Sequence, residues 1–261
     1  MASDLTHFEL AEMLRCSVGL RRATRDATTM ESAARAACRF LYDELRDRAG
    51  RPQCALVRCY KTHAYGRLTP ELQQFARGTL RSPDARIASE LKCLTLLATV
   101  GAEPEWNDRR QSKGHQAIAL PTPAMVEQAP MIAQLIKAFG VGLADLLHPH
   151  GDVVRNLEGR TYGVFYVDEA KDSPYIPAQA FVATHGVRSV IGFGGELPSS
   201  DLFAVIIFAN VRIAEASADR FRNLALDLKS RFFTFGPNEV FDAVPHAAAP
   251  IASSAASDRL R

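Results

Sequence analysis

The chain has 261 residues, of which 47% are hydrophobic and 23% are charged, as in a folded globular domain that buries a substantial core. Its formal net charge of +2, from 31 Lys+Arg and 29 Asp+Glu, gives no electrostatic basis for binding nucleic acid or a membrane surface. No apolar run is long enough to span a bilayer, and the N-terminus lacks the layout of a signal peptide. We therefore expect a cytoplasmic protein with no membrane and no nucleic-acid partner.

The cysteines predict reduced, buried thiols. They are Cys16, Cys38, Cys54, Cys59 and Cys93. Their odd number and their apolar surroundings do not fit a disulfide framework. Cys54 and Cys59 are five positions apart on a predicted strand, so their side chains point to opposite faces and do not form a metal site.

Two amphipathic helices are predicted at the start of the chain. The first covers residues 5–22, and its apolar stripe is Leu10, Leu14 and Val18. For the second helix, Thr28 and Glu31 form a capping-box pair. Its apolar stripe, at helical spacing, is Met30, Ala33, Ala37, Leu41 and Leu45.

The middle of the chain alternates strands with short helices. Strands are predicted over residues 53–60, 92–100 and 116–120, and helices over 69–77 and 130–139. A polar loop at residues 101–114 contains Trp106, the only tryptophan. Residues 142–160, which include His148-Pro149-His150, are predicted to form a mobile flap. Two histidines around one proline do not give a closed coordination set, so no metal is expected.

The last third predicts three strands and a helix. The strands cover residues 162–167, 187–193 and 202–208, and a short turn makes the last two an antiparallel hairpin. The final helix begins near Ser217, with one apolar face, and ends at Gly236-Pro237. That face consists of Phe221, Leu224, Ala225, Leu228 and Phe232. Beyond Pro237 the Ala-, Ser- and Pro-rich composition predicts a disordered, dispensable tail. The chain is thus divided into an N-terminal helix (1–27), one domain (28–234) and a tail or linker (235–261).

This order of elements predicts an α+β fold with a central antiparallel sheet, two N-terminal helices and a C-terminal helix flanking it. The run His185-Gly-Val-Arg-Ser-Val-Ile-Gly-Phe193, followed by a turn, an apolar strand and an amphipathic helix, resembles the closing segment of GAF domains. The resemblance covers residues 28–233 and implies a single GAF-like domain with a sensory or regulatory role. It names no cofactor, because the bilin-attachment cysteine and the cyclic-nucleotide signature of the family have no counterpart here.

The candidate ligand-binding residues cluster around the polar loop. Trp106 would form one wall of a pocket, Arg109 or Arg110 would pair with an anionic group of the ligand, and His115 would lie beside them. Tyr175, in a run that echoes a phytochrome segment, and Arg188, at the start of a strand, complete the set. Two structural alternatives stay open: a solvated loop whose tryptophan packs locally, and an Arg188 paired with Asp168.

The functional expectation is a small-molecule-sensing regulatory domain of a bacterial-type signal transduction system. No catalytic motif is present, so no enzymatic activity and no catalytic residue are expected. The ligand would occupy a pocket between the sheet and residues 101–160. Its binding would change helix packing in a homodimer, whose interface would include Leu14, Phe221 and Leu228. The output partner would be a kinase, cyclase or transcription factor. The alternatives are a GAF-fold thiol enzyme similar to free methionine sulfoxide reductase, and a ligand-free dimerisation module.

Overall fold

Six strands form one antiparallel sheet in the computed structural model, which describes residues 3–80, 87–147 and 162–243. The strands are β1 (Cys54–Ala64), β2 (Lys92–Gly101), β3 (Ala117–Ala119), β4 (Tyr162–Val167), β5 (Ser189–Glu196) and β6 (Leu202–Ala209). Their order across the sheet is β3-β2-β1-β6-β5-β4, and every neighbouring pair is antiparallel. The predicted α+β fold class is confirmed.

Helices cover both faces of this sheet. They are α1 (Leu10–Thr24), α2 (Met30–Glu44), α3 (Pro70–Gly78), α4 (Pro123–Glu127), α5 (Pro130–Ala138), α6 (Leu143–Leu147), α7 (Gln179–Thr184), α8 (Glu215–Asp219) and α9 (Phe221–Phe233). The helices α1, α2 and α9 pack on one face and form the larger hydrophobic core with it. The opposite face packs against α5 and α7. Among the described residues, no helix combines the length and the hydropathy needed to cross a membrane.

The central strands are buried on both faces, which explains their continuous apolar runs. In β6, Val205 and Ile207 join the core under α1, α2 and α9, whereas Ala204 and Ile206 belong to the core of the opposite face. This alternation is the two-residue period of an extended chain. The predicted hairpin of β5 and β6 is confirmed, with Ile191 opposite Ile207.

The apolar stripe predicted for the first helix faces outward. Leu10, Leu14 and Val18 are 61%, 54% and 59% exposed. The buried face of α1 is instead the neighbouring one, formed by Met13, Cys16, Ser17, Leu20 and Thr24. Both faces are apolar enough to be buried, and packing against α2 and α9 selects the second. The prediction was therefore wrong about the direction of this helix face.

The second helix has the predicted core stripe but a different cap. All five stripe residues are buried, from Met30 to Leu45. The capping box joins Thr29 to Ser32, one residue later than the predicted pair of Thr28 and Glu31. Glu31 is therefore free for another interaction.

The final helix confirms its predicted apolar face and excludes part of the predicted dimer interface. Phe221 and Leu228 are 0% and 1% exposed because they pack into the chain's own core. The ring of Phe221 stacks on Phe8 with 4.6 Å between centroids. Naming Phe221 and Leu228 as dimer contacts was therefore wrong, and Leu14 is the one predicted contact that is exposed.

The chain after α9 docks on the start of α2. The backbone N–H groups of Met30 and Glu31 donate to the carbonyl oxygens of Glu239 and Val240, both at 2.8 Å. These N–H groups belong to the first turn of a helix and have no partner within it. The expectation of a disordered chain from Pro237 was therefore wrong for residues 239–242. That this part of the chain is dispensable stays a prediction. Residues 244–261 lie outside the described residues, and the three-part division of the chain stays a prediction.

Candidate functional site

A cavity of about 1140 Å³ lies at one end of the sheet. Its walls come from the end of β1, the start of β2, the turn between β5 and β6, and the segment after α9. Its buried polar lining residues are Lys61, His63, Lys92 and Asp201. Its apolar lining residues include Met30, Leu197, Phe232, Phe235, Val240 and Phe241. The cavity thus combines a charged patch with an apolar wall.

Three buried charges form a connected ion-pair cluster on this wall. Lys61 Nζ lies 2.9 Å from Asp201 Oδ2, and Lys92 Nζ lies 2.6 Å from Asp201 Oδ1. Burial alone would raise the pKa of Asp201, but the two ammonium groups outweigh it and lower that pKa to about 2. The carboxylate is therefore ionised at neutral pH, and it balances one of the two ammonium charges.

Strand pairing brings these three residues together. Lys61 lies opposite Phe203 of β6 and Thr95 of β2. Leu202 N–H donates to Thr62 Oγ1 at 2.8 Å, which fixes the start of β6, and so Asp201, beside the end of β1. The cluster therefore lies where the inner strands β1, β2 and β6 end or begin, away from the edge strands β3 and β4.

His63 adds an unsatisfied imidazole to the same cavity. The residue is 4% exposed. Its ring interacts with the Lys61 backbone, but neither ring nitrogen makes a well-aligned hydrogen bond among the described residues. Burial, reinforced by the charge of Lys61, lowers the pKa of His63 to about 3. The ring is therefore neutral at physiological pH and offers one donor and one acceptor. A buried polar group without a partner is costly, so an imidazole that faces a cavity is available to water or to a small molecule that enters it.

The loop predicted to hold the ligand is anchored by local packing around Trp106. Its indole is half-buried and meets the rings of Phe181 and His185, with centroids 5.5 Å and 4.6 Å away. Asn107 Nδ2 donates to the Gly101 carbonyl at 3.1 Å. These contacts match the structural alternative of a tryptophan that packs locally, and they lie on the face of the sheet covered by α7.

Arg109, predicted to bind a ligand anion, is already paired. Its Nε and Nη2 donate to the two carboxylate oxygens of Glu31 at 2.7 Å and 2.9 Å. Both side chains are nearly buried, at 11% and 5% exposure, and the guanidinium lies over the Phe241 ring. Arg110 is exposed. The geometry therefore gives Arg109 a structural partner, which the sequence prediction did not include.

The remaining predicted residues lie apart from one another. His115 is exposed as a whole residue, but its ring is partly surrounded by protein near Arg58, and desolvation followed by the charge of Arg58 lowers its pKa. Tyr175 packs edge-on against Phe165, with centroids 6.2 Å apart. Arg188 is exposed, and Asp168 accepts from Tyr166 Oη at 3.0 Å rather than pairing with Arg188 among the described ion pairs. The six predicted residues therefore do not converge on one site.

A smaller polar spot lies on the face of the sheet that also packs Trp106. Arg58 and Thr99 are opposite each other in β1 and β2. Arg58 Nε and Thr99 Oγ1 are buried and have no hydrogen-bond partner in the described structure, while Arg58 Nη1 lies 3.4 Å from Tyr60 Oη. This spot is the nearest match to the predicted pocket over the sheet.

The residues of the cavity were not predicted from the sequence, although one local signal was present. Lys61 and His63 are two positions apart at the end of an apolar strand, so they share one face of it. Two polar side chains on the buried face of a strand are unusual and need partners. The prediction ended this strand at residue 60 and did not include them.

The five thiols are buried in the structure. Burial raises the pKa of Cys16 to about 11 and that of Cys93 to about 12, and it also raises the pKa values of Cys38, Cys54 and Cys59. Within the described parts of the chain, no group of three or more His, Cys, Asp or Glu could hold a metal ion. His148 and His150 lie outside those parts.

No family model and no curated protein sequence matches this chain. Among solved structures, it resembles the GAF domain of a phosphoenolpyruvate-protein phosphotransferase from Coxiella burnetii, with 12% identity, a TM-score of 0.42, and coverage of 84% of this chain and 91% of that one. It also resembles the phycoerythrobilin-bound GAF domain of a cyanobacterial phytochrome, with 11% identity, a TM-score of 0.41, and coverage of 85% and 94%. A third match is an N-acylhomoserine lactone dependent LuxR-family transcription factor from Burkholderia cenocepacia, with 14% identity, a TM-score of 0.38, and coverage of 86% and 96%. At these identities the likenesses concern the fold alone.

Proposed function

We propose that this chain is a small-molecule-sensing regulatory domain whose ligand occupies the cavity at the end of the sheet. The observation that carries the proposal is the unpartnered, buried His63 beside the Lys61–Asp201–Lys92 cluster on the wall of a 1140 Å³ cavity. Concave sites with an apolar lining and a few convergent polar groups are the usual form of small-molecule sites. The sequence resemblance to GAF domains supports the same sensory role.

The segment after α9 gives such a ligand a route to the rest of the domain. Residues 235–242, which we call the C-terminal strap, contribute Phe235, Val240 and Phe241 to the cavity wall. Backbone carbonyl groups of the same strap accept hydrogen bonds from the first two N–H groups of α2. A ligand that contacts the strap therefore changes the stability of its docking on α2.

Glu31 extends this route to the loop between β2 and β3. Its carboxylate binds Arg109 of that loop and also accepts the backbone N–H of Asp242 at 3.1 Å. Phe241 contacts both His63 and Arg109, with its ring centroid 5.3 Å from the His63 ring and 5.4 Å from Arg109 Cζ. One aromatic side chain thus connects the cavity to the Arg109–Glu31 pair.

In this proposal the domain senses and does not catalyse. The buried, neutral thiols count against the thiol-enzyme alternative, because the thiolate is the reactive form of cysteine. The output passes through a homodimer built on α1 to a partner such as a kinase, cyclase or transcription factor of a bacterial-type signalling system. A ligand-free dimerisation module is the second candidate, favoured by the exposed apolar stripe on α1.

A cavity-filling variant tests the proposal. Ala64 lines the cavity and is half-buried, so Ala64→Trp places an indole in the space that the ligand needs. The control is Ala183→Trp, the same change at an exposed position of α7. Native mass spectrometry after incubation with a bacterial metabolite extract should show a bound small molecule on the wild type and on Ala183→Trp, but not on Ala64→Trp. Hydrogen exchange at the Met30 and Glu31 amides should slow when the ligand is bound.

Two results would contradict the proposal. If no small molecule is retained by the wild type, the ligand-free module becomes the better description. If a ligand binds Ala64→Trp as well as the wild type, the sensor site lies elsewhere, and the spot at Arg58 and Thr99 is the next position to test.

A further inference from the structure

We infer that the cavity binds a carboxylic acid with an apolar body and a neighbouring hydroxyl group. This inference rests on the proposed function of the cavity and adds the chemical class of its ligand. It is carried by the net charge of the buried cluster, by the free hydrogen-bonding capacity of His63, and by the aromatic wall that faces them.

The buried charges do not balance. Lys61, Lys92 and Asp201 have side-chain exposures of 4%, 10% and 12%, and two ammonium groups share a single carboxylate. An uncompensated buried charge is unfavourable, and a bound anion relieves it. Two exposed charges, Arg67 and Glu90, also line the cavity and offset each other, so one positive charge remains in excess. One excess positive charge matches a carboxylate better than a phosphate, which carries between about one and a half and two negative charges at neutral pH.

Lys92 is the ammonium best placed to meet the anion. Lys61 Nζ already donates to the Thr62 carbonyl and to Asp201, both at 2.9 Å. Lys92 Nζ donates to Asp201 at 2.6 Å, and an ammonium group has three N–H donors. A ligand carboxylate beside Lys92 would complete an alternating arrangement of two positive and two negative charges.

His63 adds a requirement for a neutral polar group. Its imidazole is uncharged, so it does not contribute a second charge to the anion. In a neutral imidazole one ring nitrogen is an N–H donor and the other is an acceptor, and the tautomer decides which is which. A ligand hydroxyl group can accept a hydrogen bond from the first or donate one to the second. His63 and Lys92 line the same cavity, and the charge of Lys92 acts on the His63 ring. A carboxylate at Lys92 therefore leaves His63 within reach of a hydroxyl close to that carboxylate.

The rest of the cavity wall is apolar. Phe232, Phe235 and Phe241 contribute aromatic surface, and Leu197 and Met30 add aliphatic surface. Contact of a hydrocarbon or aromatic body with these side chains removes apolar surface from water. The inferred ligand is therefore amphipathic, with its anionic end at Lys92.

Three probes with one common body test the charge requirement. They are 3-phenylpropionate, the neutral 3-phenylpropanamide and the cationic 3-phenylpropylamine, each titrated into the 261-residue chain by calorimetry at low ionic strength. We expect the acid to bind, the amide to bind on the order of 10- to 100-fold more weakly because a charged hydrogen bond is lost, and the amine not to bind.

Variants then assign the two polar contacts. Lys92→Met should weaken binding of 3-phenylpropionate on the order of 10- to 100-fold. Lys92→Arg keeps the positive charge and should retain most of the affinity. Lys171→Met, at an exposed position, is the control and should leave binding unchanged. Adding a hydroxyl to the acid, as in 3-phenyllactate, should improve affinity for the wild type and not for His63→Phe, which keeps a ring at this position. The melting temperature of each variant shows whether it is folded.

The outcomes separate this inference from the proposed function. If the amide or the amine binds as well as the acid, and Ala64→Trp abolishes that binding, the cavity is a ligand site but the anion inference is wrong. If the acid binds and Lys92→Met binds it normally while folded, the inference is also wrong. If none of the probes binds and no metabolite is retained by the wild type, both the inference and the proposed function fail.

Discussion

Glu31 shows how one buried carboxylate can hold distant parts of a chain together. It lies in the first turn of α2, where a negative charge is favourable near the helix N-terminus. Its two oxygens accept from Arg109, 78 residues away in sequence, and from the backbone N–H of Asp242, 211 residues away. The pair with Arg109 is buried, so removing one partner leaves a charge without compensation.

The two neighbouring arginines of the loop are therefore expected to differ in their effect on stability. Arg109→Met should lower the free energy of unfolding by about 3–5 kcal/mol, because Glu31 is left buried and unpaired. Arg110→Met, at an exposed side chain, should change it by less than about 0.5 kcal/mol. Urea unfolding followed by circular dichroism measures both.

A double-mutant cycle tests whether Glu31 and Arg109 stabilise the fold through their contact with each other. If Glu31→Gln combined with Arg109→Met is as destabilised as the sum of the single changes, the two side chains do not interact energetically. A coupling of at least about 1 kcal/mol is expected for a buried, two-point contact.

Local patterns were sufficient for most elements and insufficient for the site. Residues 162–167 form a strand with the predicted bounds because their apolar run ends at charged residues. The α1 face was predicted wrongly because two adjacent faces are apolar and only contacts with α2 and α9 distinguish them. The cavity combines β1, β2, the β5–β6 turn and the strap, so no single stretch of sequence contains its pattern.

At the level of elements, the strap is expected to stabilise α2. It accepts two N–H groups of the first helical turn, buries Val240, and places Asp242 2.8 Å from Arg35. Truncation after Pro237 should therefore cost about 3 kcal/mol, from two hydrogen bonds and one buried side chain. That loss corresponds to a melting temperature lower by about 6–12 °C in a domain of this size.

Truncation after Ala243 is the matched control for this experiment, because it keeps every described contact of the strap. Its melting temperature should stay close to that of the full chain. If truncation after Pro237 also leaves the melting temperature unchanged, the strap does not stabilise α2, and the proposed route from the cavity to α2 is lost.

At the level of the whole molecule, the two faces of the sheet have different surroundings. The face under α1, α2 and α9 carries the larger core, and the cavity opens where α9 ends and the strap begins. The predicted pocket lay on the opposite side, over the sheet and beneath the loop of Trp106. A ligand in the observed cavity contacts the strap that docks on α2, and α2 packs against α1. This arrangement connects the cavity with the outer surface of the helical layer.

The outer surface of α1 is predicted to be a dimer interface. Leu10, Leu14 and Val18 form an exposed apolar row on α1 at four-residue spacing, and a second copy of the chain would cover it by pairing α1 across a two-fold axis. We expect light scattering to show a homodimer at micromolar concentration. Leu14→Glu, at the centre of the row, should weaken the dimer at least about 10-fold, because it brings like charges together and removes apolar contact. The control is Leu226→Glu, at a 38% exposed leucine on α9 outside the row, which should stay dimeric. A wild-type monomer at all accessible concentrations would contradict the prediction. Dissociation by Leu226→Glu alone would move the interface from α1 to α9.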